Sequence, residues 1–154
     1  MSIVAFNFTK IAAERKSGQI SNVKINTNTS IKDVKEVTLG SQKAMLFTFV
    51  HVSKYEPAVA SISIEGDVLV MSSEKEVKDT VAQFAKNKTL NPELTQKVYN
   101  AILTRANVQA LVMAKELNLP APFKLPRLEV KTQAKSGVEA TPAAAPASKP
   151  TKKK

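Results

Sequence analysis

The sequence predicts an α+β domain: a four-stranded antiparallel sheet, then a short helix and a long helix, with a basic tail behind them. Three observations carry this. Apolar positions recur with period two through four segments between residues 3 and 70, the period becomes helical at Ser73, and beyond Val130 the composition falls to Ala, Pro, Lys, Ser and Thr. Residues 1–130 are enough for one domain with its own core, and residues 131–154 read as a disordered tail, because Val138 is its only branched aliphatic residue.

The first segment, IVAFNFTKIA, places Val4, Phe6 and Phe8 on one side of a strand. The second, NVKINTNTSI at 22–31, puts Val23, Ile25, Thr27, Thr29 and Ile31 on one face and Asn22, Lys24, Asn26, Asn28 and Ser30 on the other. Val34, Val37 and Leu39 then break the alternation, which predicts a bulge or bend before the turn at Gly40 and Ser41. The third, AMLFTFVHV at 44–52, is apolar on both faces, with Met45, Phe47 and Phe49 opposed to Ala44, Leu46, Val50 and Val52. Such a strand calls for two covers. In the fourth, Ile62, Ile64, Val68 and Val70 share a face, and Gly66 marks a bulge or a close approach.

Ser73 and Glu76 have capping-box spacing, and Val77, Val81, Phe84 and Ala85 follow on one helical stripe of about three turns. Asn91 and Pro92 open a second helix that nothing interrupts as far as Leu117, a length of about 39 Å. Its second half, ANVQALVMA at 106–114, is apolar on nearly every side, which asks for more neighbours than one sheet offers and predicts self-association. Behind it, LNLPAPFKLP at 117–126 is too rich in proline for a helix or a central strand and too apolar for a solvated loop. Its leucines and Phe123 can lie along a groove as a stiff, preformed edge.

The formal charge is +10, and half of it sits on the tail, where Lys131, Lys135, Lys149, Lys152, Lys153 and Lys154 face Glu139 alone. That pattern fits an anionic partner such as RNA, and it fits a solubilising extension equally well. No cysteine is present, so disulfides and thiolate chemistry are excluded. No signal-like start and no run of about 18 apolar residues occurs, which predicts a soluble cytosolic protein with no membrane partner. The single histidine, His51, has no second histidine to work with, Glu65 and Asp67 read as a solvated polar face, and the Ser72 to Lys75 spacing is explained by helix capping. No glycine-rich phosphate loop appears. The expectation is therefore a protein that is not an enzyme and needs no cofactor.

The order of four strands, then helices, with the long helix running into NLPAPFKLP, resembles the SecB chaperone family. A group of archaeal SecB-like proteins is more similar still, through FNFTKI at 6–11, SKYEPAVASISIEGDVL at 53–69 and NVQALVMAKELNLPAPFKLP at 107–126. The resemblance implies an ATP-independent holdase that binds unfolded or nascent polypeptides in hydrophobic grooves and works as a homo-oligomer. It carries Leu119, Pro120, Pro122, Phe123 and Leu125 to the loop beside the groove, and the strand pattern offers Met45, Phe47 and Phe49 as the groove floor. SecB proteins are acidic and this chain is basic, so coupling to a secretion motor does not follow. The rival reading is an RNA- or ribosome-associated accessory protein that threads its lysine tail along phosphates.

Overall fold

The structure, a computed structural model, describes residues 1–124 apart from residue 17. The proposed boundary at residue 130, Leu125 and the lysines from Lys131 to Lys154 lie outside the described residues. Six elements follow in the expected order: β1 (Ser2–Arg15), β2 (Lys24–Leu39), β3 (Gln42–Glu56), β4 (Ala60–Met71), α1 (Glu74–Asn87) and α2 (Pro92–Glu116).

The strands form one antiparallel sheet in the order β1-β4-β3-β2. β2, β3 and β4 are joined by tight hairpins, whereas β1 reaches β2 across the whole width of the sheet, a Greek-key arrangement. Two register shifts bend β1, between Ile3 and Ala5 and between Phe8 and Lys10, so that Ile3, Phe6 and Phe8 stand opposite Val70, Val68 and Gly66. The first shift takes Val4 out of the row it was expected to share with Phe6 and Phe8 and leaves it exposed. The bulge expected after Ile31 lies at Lys32, which falls between the pairs Ile31–Phe49 and Asp33–Thr48.

Both helices pack on one face of the sheet, α1 against β2 and β3, α2 against β4, β1 and β3. A first core cluster joins Met45, Phe47, Phe49, Val68 and Val70 of the sheet to Val77 and Phe84 of α1 and to Leu94, Val98 and Ile102 of α2. A second joins Tyr55, Ile62 and Ile64 to Ala110, Ala114 and Leu119. The buried residues of α2 recur at every fourth position from Leu94 to Ala114, a spacing that advances about 40° per step and winds the contact line around the helix. Small side chains at Ala110 and Ala114 let its second half lie close on Ile62 and Ile64.

The cover expected for the second face of β3 is not supplied among the described residues. Leu46, Val50 and Val52 remain half-buried on the side away from the helices. The start signals are built as read: Ser73 and Glu76 form a full capping box, and Asn91 caps α2 with Pro92 in its first turn. Among the described residues no helix is long and apolar enough to cross a membrane.

Candidate binding trough beside β2

The chain leaves α2 through Asn118, whose left-handed backbone (φ 52°) a short amide side chain tolerates, and Leu119 N–H closes on the Ala114 carbonyl at 2.8 Å. The proline segment then crosses the sheet. Its prolines donate nothing, but their carbonyls still need partners, and the strands supply them. Arg15 Nη1 of β1 donates to the Leu117 carbonyl at 2.8 Å, the Tyr55 hydroxyl of β3 to Pro120 at 2.7 Å, and the Thr27 hydroxyl of β2 to Pro122 at 3.1 Å. Leu119 and Pro122 are buried by the crossing, and Phe123 is half-buried at its end over β2.

Further along the same face of β2, Ile31 forms the base of a groove of about 540 Å³ between α1 and the start of α2. Phe84, Leu90, Pro92 and Tyr99 give it apolar walls, and Lys88 stands at its rim, 4.8 Å from the centre of the Phe84 ring. Thr27 and Ile31 are four residues apart on one strand, about 13 Å. The proline segment and the groove therefore border a single stretch of β2, with Thr29 between them.

Thr29 bonds His51 across the strand pair, hydroxyl oxygen to Nδ1 at 2.7 Å. His51 is fully buried, its Nε2 has no partner among the described residues, and burial lowers its pKa below the ordinary histidine value. A neutral imidazole is the form this environment favours.

Met45, Phe47 and Phe49 do not form a floor that a guest could touch. All three are completely buried under α1 and α2, because β3 turns that face toward both helices. The structure brings Leu119, Pro120, Pro122 and Phe123 together near β2 as a strap over the sheet. Sequence reasoning missed Ile31, Leu90 and Tyr99, which meet only when α1 and α2 turn back over β2; the one local signal was that Ile31 ends the alternating run.

Elsewhere the chemical groups are structural. Asp67 accepts from Thr48 at 2.8 Å on the face away from the helices, and Ser72 and Ser73 both bond the Glu76 carboxylate at the start of α1. Among the described residues no three His, Cys, Asp or Glu side chains gather in a way that could hold a metal ion. A second cavity, of about 320 Å³, lies at the β3–β4 turn between Glu14, Lys16, Lys54 and Glu56, with charges of both signs around it.

No family model matches the chain, and no curated protein matches it. Among solved structures the chain is similar to a SecB-like chaperone of Mycobacterium tuberculosis, determined in complex with a ChAD peptide from the HigA1 antitoxin. The superposition has a TM-score of 0.54 at 14% sequence identity and covers 82% of this chain and 89% of that one. The fold is SecB-like.

Proposed function

We propose that the protein is an ATP-independent holdase that takes apolar segments of unfolded or nascent polypeptides into the trough beside β2. The observation that carries this reading is the apolar groove over Ile31, open in a subunit whose fold is shared with a chaperone solved around a peptide. Leu119, Pro120, Pro122 and Phe123 form the rim in this proposal, Ile31, Leu90 and Tyr99 line the slot, and Leu125 would extend the rim beyond the described residues. Burying a client side chain contributes about 1.5–3 kcal/mol. Association itself costs at least about 4 kcal/mol, so two or three captured side chains give weak, reversible holding without a nucleotide cycle.

Self-association fits the same proposal. Val108 and Val112 are 61% and 46% exposed on the outer side of α2, and Ile3 and Ile11 are exposed on the edge strand β1. A second copy would cover them, whereas scattered apolar exposure needs no partner.

The deciding experiment mixes the full chain with a chemically unfolded client and follows light scattering. Suppression of aggregation without nucleotide, weakened by Tyr99→Ala and Ile31→Asp, is the expected result. No suppression at several-fold molar excess rules the reading out.

An RNA- or ribosome-associated role remains a second reading, favoured by the charge of the tail. Its test is the salt dependence of ribosome co-sedimentation with and without residues 131–154. Each phosphate neutralised contributes a log–log slope of about −0.7 to −0.9, and a slope unchanged by the deletion removes the tail from RNA binding.

A further inference from the structure

We infer that the trough selects apolar segments flanked by Asp or Glu; this rests on the polypeptide-binding reading above and adds the class of client. Cations border the apolar stretch along its length. Lys88 stands at the rim of the groove, Lys32 is the extra residue of the bulge next to Ile31, and Lys124 follows Phe123.

Among the described residues none of these three is in an ion pair. The neighbouring acids are already engaged: Asp33 with Lys35 at 3.1 Å and Glu93 with Lys97 at 3.1 Å. Asp33 also feels the charge of Lys88, but its main partner is Lys35.

A peptide lying along β2 thus meets an apolar slot bordered by lysines that are in no ion pair among the described residues. Acidic flanks gain from those charges, and Lys- or Arg-rich flanks are repelled by them. At solvent-exposed positions one such pair changes an equilibrium by a factor of about 1.4 to 5, so two pairs give roughly a two- to twenty-five-fold preference. Salt screens it, with a Debye length of about 10 Å at 0.1 M.

The test uses the full chain and fluorescein-labelled peptides that share one apolar core and carry Glu, Ser or Lys on both flanks. Anisotropy titrations should rank them Glu above Ser above Lys. Raising the salt should shrink the spread, and the double variant Lys32→Glu/Lys88→Glu, at two exposed positions, should abolish or invert it. Equal affinity for Glu- and Lys-flanked peptides overturns the selection while leaving the chaperone reading intact. A preference that survives the double variant unchanged assigns the effect to charges other than Lys32 and Lys88 and equally overturns it. If no peptide binds, both readings fall; if single-stranded RNA binds instead and needs Lys32 and Lys88, the occupant is nucleic acid.

Discussion

The Tyr55 hydroxyl donates a 2.7 Å hydrogen bond to the Pro120 carbonyl, tying a fully buried strand residue to a segment 65 residues further along the chain. The ring packs in the second core cluster while its one polar atom holds the strap down. Tyr55→Phe keeps the packing and loses the bond, so it should cost about 1 kcal/mol and lower the denaturant midpoint at unchanged slope. Burial also pushes the Tyr55 phenol up to about 12. The folded state then keeps its proton where the unfolded chain, with an ordinary value near 10, has lost it. This stability is complete below about pH 10 and drains away as pH rises toward 12. The Tyr55→Phe variant should lose less stability across that window than the parent chain does.

His51 predicts an effect at the acid end. Its folded pKa lies below the ordinary value of 6.5, with desolvation as the cause. As pH falls through 6.5 the unfolded chain takes up a proton that the folded chain resists, so stability is intact above that value and falls below it. It is the only histidine, which separates this loss from the carboxylates that titrate lower. Denaturant midpoints between pH 7.5 and 5.5 should decline for the parent chain and stay flatter for His51→Gln. Equal declines in both would move the cause elsewhere.

Local rules made much of this fold legible. The alternation of Ile25, Thr27, Thr29 and Ile31, the box of Ser73 and Glu76, and the Asn91–Pro92 start all rest on interactions within a few residues, and all are present in the structure. The grouping of Met45, Phe47 and Phe49 was equally readable, but not what covers them. Period two says which side chains share a face and is silent on which face the helices take, and β3 is apolar on both. The shift at Val4 was hidden because a bulge is set by the partner strand. The groove was hidden for a related reason: Ile31, Leu90 and Tyr99 are far apart in the chain and converge only through tertiary packing.

Gly66 shows how tightly β1, β4 and β3 meet. A Cβ there would lie 2.4 Å from the Asn7 carbonyl oxygen and 2.8 Å from Cζ of Phe49. The ring can rotate, but the backbone oxygen of β1 cannot yield without parting the ladder. Gly66→Ala should therefore cost about 3 kcal/mol or more, at the upper end of overpacking losses, and should reduce the soluble yield. A substitution within about 0.5 kcal/mol of the parent would mean that β1 can move outward. Gly40→Ala, a control with open space around it and strain only from its φ of 60°, should cost about 1 kcal/mol.

The contrast between Phe47 and Tyr99 separates core from trough. Phe47 is completely buried between sheet and helices, so Phe47→Ala opens a cavity and should cost about 3–5 kcal/mol of stability. Any loss of client binding in that variant would follow from unfolding. Tyr99 is half-buried on the wall of the groove, and its removal takes away contact area for a guest while leaving the first core cluster intact. Tyr99→Ala should keep the thermal midpoint within a few degrees of the parent and weaken capture of an apolar peptide by about 1–2 kcal/mol, roughly five- to thirtyfold. Ile31→Asp should act in the same direction by putting a charge at the base of the slot. If both variants fold normally and bind the peptide as the parent does, the guest lies somewhere other than beside β2. The half-buried row Leu46, Val50 and Val52 on the opposite face of the sheet is then the next surface to alter.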